Sequence, residues 1–337
     1  MRSVVDLLAN VYRGELVESI HYGQIAVVDK NGKKIAEAGN SRQITYWRSA
    51  AKPFQTLPVI FSGAAEKYGI TDEELAVMAA SHNGEEEHVR TVQGILDKIG
   101  LDEAALLCGI HPPYHEPTAR LIYQQGKEPL RLHNNCSGKH AGLLTISKYY
   151  GWSLDDYDQP GHPVQRLILK TIAEITGYPE EKILLGVDGC GVVVFGLPLE
   201  KMAYAYARLA NPDSLPQAYQ EAARRITSSM EKYPQMVSGT DTFNTDLMKV
   251  TGDKLVAKSG AEGIFCVGVH GQMGVALKIA DGNSRAVPPV TMETLSQLGL
   301  LDDKELKQLE KYHHPEVINN HQAKVGTIEP TFKLKML

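Results

Sequence analysis

Residues 257–282 read AKSGAEGIFCVGVHGQMGVALKIADG. Ile264 to Val269 and Met273 to Ile279 are apolar runs of strand length, separated by His270-Gly271-Gln272 and closed by Asp281-Gly282. That pattern predicts a β-hairpin, and the near-continuous apolar residues predict that its strands are central. A matching signal lies near the other end of the chain. Tyr22 to Asp29, Asn31-Gly32 and Lys34 to Ala38 read as strand, turn and strand, with Asn-Gly as the hairpin turn.

Between the hairpins the period changes. Asp72 to Ala80, Glu85 to Ile99, Gly138 to Tyr150, Pro163 to Ile175, Pro216 to Lys232 and Met292 to Tyr312 carry apolar residues at three- and four-residue spacing, which predicts helices. Thr71 or Asp72 ahead of Glu74 is an N-cap signal, and Gly100 and Gly151 stand where helix C-terminal glycines belong. The expected assembly is one two-lobed unit over residues 1–337. A mainly antiparallel sheet is built from about 10–60 and 255–330, a mostly helical lobe from about 61–254, and the cleft between lobes is where a site would fall.

Composition excludes several function classes. The 337 residues are 43% hydrophobic and 22% charged, with 35 basic against 40 acidic residues and a net charge of −5. A nucleic-acid or anionic-membrane partner needs a basic footprint that is missing here. No apolar stretch approaches the ~20 residues of a membrane span. MRSVVDLLAN carries Asp6 within its apolar run and no small-residue cleavage site, so no signal peptide is expected. Four scattered cysteines, Cys108, Cys136, Cys190 and Cys266, do not form a disulfide framework, and a cytoplasmic location is expected.

The first segment with chemistry in it is Arg48-Ser49-Ala50-Ala51-Lys52-Pro53. Ser-x-x-Lys on a helix puts hydroxyl and amine on one face. The hydroxyl becomes a nucleophile when a neutral lysine takes its proton. Pro53 cannot sit deep in a helix, so Ser49 falls at or just before a helix N-terminus, where free N–H groups can hold an oxyanion. The pattern alone is weak, since Ser229-Met230-Glu231-Lys232 repeats it in an ordinary helix. Ser81-His82-Asn83-Gly84 and Lys258-Ser259-Gly260 add weight. Serine β-lactamases and penicillin-binding proteins carry Ser-x-x-Lys, Ser-x-Asn and Lys-Thr/Ser-Gly in this chain order. Here the helical insertion comes mostly between the second and third motifs, which argues against a β-lactam substrate.

Two further patches are dense. His133-Asn134-Asn135-Cys136-Ser137-Gly138-Lys139-His140 and Gly186-Val187-Asp188-Gly189-Cys190-Gly191 offer two thiolates to Zn2+, with His140 or His133 as the third ligand favoured by spacing; the alternative is that both cysteines are small core residues. Arg48 can hold a substrate carboxylate, and Asp188 sits in a glycine-flanked turn.

Taken together, YWRSAAKPFQTLP, ASHNGEEEH, CGIHPPY, HNNCSGKHAGLL, GVDGCGVVVFGLPL and AKSGAEG resemble the asparaginase II family, the rhizobial-type L-asparaginases, over roughly residues 10 to 330. The resemblance implies an α/β (α+β) serine β-lactamase-like or glutaminase-like fold, a homodimer, and hydrolysis of L-asparagine to L-aspartate and ammonia. It pairs Ser49 with Lys52 and Ser81 with Lys258, and it implies a zinc site of Cys136, Lys139 and Cys190. Arg48, Asn83 and Asp188 are the expected substrate-binding residues. Ser238-Gly239-Thr240-Asp241-Thr242 is similar to the Thr-Asp step of threonine-dependent asparaginases, but their N-terminal Thr-Gly-Gly-Thr is missing, so it reads as a loop bordering the site. The competing readings are a glutaminase or other Ser-Lys amidohydrolase, and a non-catalytic zinc or amino-acid binding protein.

Overall fold

In the computed structural model residues 5–337 are described; Met1 to Val4, the start of the run read for a signal peptide, lie outside them. The chain divides into two compact units. The first takes the chain up to Ala50, then Leu197–Asn211 and Asp246–Leu337. The second takes Ala51–Gly196 and Pro212–Thr245.

The first unit is built on a nine-stranded sheet whose described pairings are all antiparallel. Both predicted hairpins are present. Leu16–Asp29 pairs with Lys34–Ala38, and Ile264–Val269 pairs with Met273–Ile279. They join through Leu16–Asp29 and Met273–Ile279, with Ile25 opposite Leu277 and Val27 opposite Val275. Leu255–Gly260, which carries Lys258, pairs with Ile264–Val269 and ends the row.

One face of the sheet receives the Leu199–Ala210 helix, and paired glycines let it approach. Gly268 lies opposite Gly274 in the hairpin. A Cβ on Gly274 would collide with the Ala203 carbonyl, and one on Gly268 with the Tyr206 carbonyl. Bare backbone at both positions is therefore what seats the helix.

Sequence periodicity missed that helix, because the strand Val193–Pro198 runs into it with no polar linker. It also joined what the structure separates. The expected single helix from Met292 to Tyr312 is instead Val287–Gln297, Asp303–Gln308 and Glu310–His313. Gly299 at φ +67° ends the first piece, and a capping box between Asp302 and Glu305 starts the second.

The second unit is mostly helical. Thr71 caps Asp72–Met78 through a capping box with Glu74, as its sequence signal predicts. Ser137–Tyr150 crosses that helix closely, because a side chain on Gly138 would overlap the Val77 carbonyl and Gly142 rests on Met78. Leu184–Val187 and Val193–Pro198 form a hairpin whose turn holds Asp188 and Cys190. Among the described residues no helix is long and apolar enough to cross a membrane.

Candidate active site

Ser49 lies in a 3-10 turn, Arg48–Ala51, immediately before the helix Lys52–Phe61, with Pro53 in that helix's first turn. This is the helix-start position that Pro53 implies. Both sides of Ser49 are fixed within the first unit. Trp47 is fully buried and packs edge-on against Tyr206, with centroids 6.2 Å apart. The Tyr206 hydroxyl donates to the Ala50 carbonyl at 2.8 Å. Between them Arg48 adopts φ +52°, a left-handed conformation that costs a non-glycine residue about 1–2 kcal/mol. The sheet-bound helix thus reaches down to the backbone that presents Ser49. Lys258, in the same unit, is fully buried, and its Nζ donates to the Ser259 carbonyl at 2.7 Å.

Lys52 opens the second unit and is only 1% exposed. Its Nζ donates to the Ala80 carbonyl at 2.5 Å, the Ser81 hydroxyl at 3.0 Å and the Asn135 carbonyl at 3.4 Å. The structure therefore brings Lys52 to Ser81 and to the residue preceding Cys136. The decoy motif behaves differently. Ser229 spends its hydroxyl on the Arg225 carbonyl one helical turn back, and Lys232 lies 5.2 Å from the centroid of the Tyr233 ring.

The loop after Ser81 is held by its own side chains. His82 is buried, and burial, with His88 and Lys52 nearby, keeps its pKa well below the ordinary imidazole value. Its Nδ1 accepts from the Gly84 N–H at 3.1 Å, so Nε2–H donates to the Ser137 hydroxyl at 2.9 Å. Ser81 and the Cys136–Lys139 helix start are thereby tied together. Sequence reasoning gave His82 no role of its own; its place between Ser81 and Asn83 was the available signal.

The 238–242 loop is also part of this neighbourhood. The Ser81 N–H donates to the Val237 carbonyl, and His88 to the Gln235 carbonyl. Glu85 accepts from the Thr240 N–H at 2.8 Å and hydroxyl at 3.0 Å. Burial pushes the Glu85 carboxyl up, but the Thr240 bonds outweigh it and hold the group below the ordinary carboxylate range. Asn83 packs on Gly239, and its buried Oδ1 has no hydrogen-bond partner among the described residues.

Gly239 sits at φ +93° and ψ 179°, a region open in practice only to glycine, and a Cβ there would overlap the Asn83 amide. Gly239→Ala should therefore cost about 2–4 kcal/mol in chemical denaturation. Turnover should fall along with stability, because Asn83 is the group displaced.

Cys136 caps the helix Ser137–Tyr150, and Cys190 lies in the hairpin turn. Lys139 Nζ donates to Cys190 Sγ at 2.9 Å in a fully buried setting. A hydrogen bond with Cys190 and the ammonium groups of Lys52 and Lys139 hold the Cys136 thiol well below its ordinary range, against burial. That same hydrogen bond, with burial, raises Cys190. Burial favours a neutral Lys139 amine, yet the two sulfurs together raise its pKa.

The two histidines favoured by spacing each have Nδ1 engaged within the protein. His133 Nδ1 accepts from the Leu130 N–H, and His140 Nδ1 contacts the Tyr157 hydroxyl. Burial lowers the His140 pKa to about 4. Among the described residues no three His, Cys, Asp or Glu side chains gather as a metal cage. Two sulfurs and one amine do gather, and such S/N donors suit Zn2+. The buried, unpartnered His140 Nε2 beside them is a polar atom that the protein alone leaves unsatisfied. The donor set thus fits zinc. Asp188 accepts from the Gly189 N–H at 2.9 Å and adds negative charge facing Lys139. Cys108 and Cys266 are buried, each with a thiol pushed up to about 12 by burial.

The family model for L-asparaginase II matches residues 9–330. A comparison with curated proteins returned no match. Among solved structures, Mglu in its native form in 4.3 M NaCl is 16% identical with a TM-score of 0.39, covering 84% of this chain and 62% of that one. Mglu in its L-glutamate binding form is 15% identical with a TM-score of 0.40, covering 84% and 61%. Probable glutaminase ybaS is 16% identical with a TM-score of 0.34, covering 86% and 85%. The chain spans about 62% of the length of the first of these.

Proposed function

Because this chain belongs to the L-asparaginase II family, we propose that it is an amidohydrolase hydrolysing L-asparagine to L-aspartate and ammonia through Ser49. The observation that carries the reading, beyond membership, is the buried Lys52 side chain, at the start of the helix that follows Ser49, with its Nζ bonded to the Ser81 hydroxyl.

The Ser49 hydroxyl attacks the side-chain amide carbon, and its proton passes to Lys52 in its amine form. The carbonyl oxygen becomes an oxyanion, for which N–H groups at the helix start are the natural donors. As the C–N bond breaks, the departing nitrogen takes up a proton and leaves as ammonia. Ser81 and Lys258 are assigned to this proton transfer. Water then attacks the Ser49 ester, releasing aspartate and restoring the hydroxyl. Arg48 is assigned to a substrate carboxylate and Asp188 to an ammonium. Asn83 offers its unpartnered Oδ1 as an acceptor for bound substrate.

Cys136, Lys139 and Cys190 would hold zinc, which supplies a Lewis-acid centre when bound. A serine β-lactamase-like fold, a homodimer and a cytoplasmic location belong to the same reading.

Purified protein given asparagine, glutamine and a chromogenic cephalosporin should release ammonia from asparagine and leave the cephalosporin intact. A preference for glutamine would make it a glutaminase. No turnover, with asparagine still raising the melting temperature, would make it a binding protein. Metal analysis should find zinc in the wild type and a loss of most of it in Cys136→Ser. Equal metal content in both would remove zinc from this site.

A further inference from the structure

The turn Asp29-Lys30-Asn31-Gly32-Lys33-Lys34 gathers lysines in a chain whose net charge is −5. Asp29 spends its carboxylate on the turn itself, where Oδ1 accepts the Asn31 N–H at 2.9 Å and the Lys33 N–H at 2.8 Å. Gly32, at φ +86°, lets the turn lie against the Leu199–Ala210 helix, because a Cβ there would come within 3.1 Å of the Tyr204 ring. Lys201 and Tyr204 stand three residues apart on that helix and share a face. Between turn and helix lies a pocket of about 390 Å³ whose lining includes Asn31, Lys34, Arg42, Glu200, Lys201 and Tyr204. All of these residues belong to the first unit.

Three cations thus line the pocket against one carboxylate. Lys34 is held in place: its Nζ bonds Glu37 at 2.7 Å and the buried Ser41 hydroxyl at 2.8 Å, and it lies 3.3 Å from Glu200. Glu37 is buried and is shared with Lys335 at 3.9 Å. Arg42 reaches Glu200 through Nε at 3.7 Å, and its side chain is 78% exposed, so the guanidinium keeps donors for a ligand. Lys201 has no carboxylate partner among the described residues; its Nζ lies 6.0 Å from the centroid of the Tyr204 ring. Asn31 and Tyr204 add an amide and a phenol, both able to donate. The helix start contributes little to this field, since the Leu199 and Glu200 N–H groups donate to the Gln43 and Ser41 carbonyls.

We propose that this pocket binds a phosphate group, either free or carried as a monoester on a small molecule. A phosphate carries a charge of about −1.5 to −2 near neutral pH and accepts at several oxygens, which matches one guanidinium, two ammonium groups and two neutral donors. A carboxylate offers one charge and two oxygens and leaves donors over. The volume lies in the range of small-molecule sites, about 300–1,000 Å³, so the phosphate can bring a body with it. None of the pocket residues named is assigned to asparagine hydrolysis, and the proposal does not rest on that reading.

The test is calorimetric titration of the full chain with inorganic phosphate and with ribose 5-phosphate, against sodium chloride at equal ionic strength. Both phosphates should bind. Tighter binding of ribose 5-phosphate assigns the site to a monoester, and tighter binding of inorganic phosphate assigns it to the free anion. Arg42→Gln and Lys201→Met should each weaken binding by about 10-fold, because each removes charge-assisted hydrogen bonds. Lys307→Gln, at an exposed lysine of the same unit outside the pocket, should leave affinity unchanged. Thermal melts of the variants confirm that each is folded. Heats no larger than those of sodium chloride overturn the proposal. So does wild-type affinity in Arg42→Gln or Lys201→Met, or an equal loss in Lys307→Gln, which would reduce the effect to overall charge.

Discussion

Ser49→Ala should cut ammonia release from L-asparagine by on the order of 10³-fold or more while leaving the fold intact. The loss is large because nothing else in the 3-10 turn can take the place of the attacking oxygen. Arg48, Ala50 and Ala51 carry no nucleophile. Stability should hold because the turn is secured by its neighbours. Trp47 is buried against Tyr206, and Tyr206 bonds the Ala50 carbonyl, so the Ser49 side chain is not what keeps the backbone in place. A half-exposed serine lost from such a turn changes stability by no more than about 0.5 kcal/mol. Steady-state ammonia release and a thermal melt on the same preparation separate the two effects. Full turnover in Ser49→Ala would refute the mechanism and direct attention to Ser81, the hydroxyl that Lys52 touches.

What the sequence could reveal followed the reach of each signal. Local turn chemistry and apolar periodicity were enough for the two hairpins, and their shared apolar character was enough to join them in one antiparallel sheet. The Leu199–Ala210 helix was hidden because the strand Val193–Pro198 runs straight into it, and its seat on the sheet depends on Gly268 and Gly274, residues far from it in the chain. The break at Gly299 was masked by apolar residues on both sides. In the site, spacing could bring Cys136 and Lys139 together on one helix start, and it favoured a histidine as third ligand to the proposed zinc. Only packing places Lys139 on Cys190 and turns His140 toward Tyr157. Spacing likewise gave no sign that Lys52, three residues from Ser49, reaches across its own unit to Ser81 and Asn135.

That reach makes Lys52 the most consequential residue after Ser49. Lys52→Met should lower turnover by about 10²- to 10⁴-fold, the usual range for losing a positioned proton acceptor. Unlike Ser49→Ala it should also destabilise the protein. The Ala80 and Asn135 carbonyls would lose a buried donor, and an unsatisfied group of this kind costs about 1–3 kcal/mol. A thioether fills the volume but donates nothing. The combined result leaves open whether activity falls through lost chemistry or a loosened fold, and Lys52→Arg separates these. A guanidinium keeps the charge and can donate to the same carbonyls, but it does not surrender a proton near neutral pH. Stability should then recover toward wild type while turnover stays low. If Lys52→Arg restored activity together with stability, Lys52 would be a structural cation that joins Ser81 to the Cys136 helix start, and the base for Ser49 would have to be sought elsewhere.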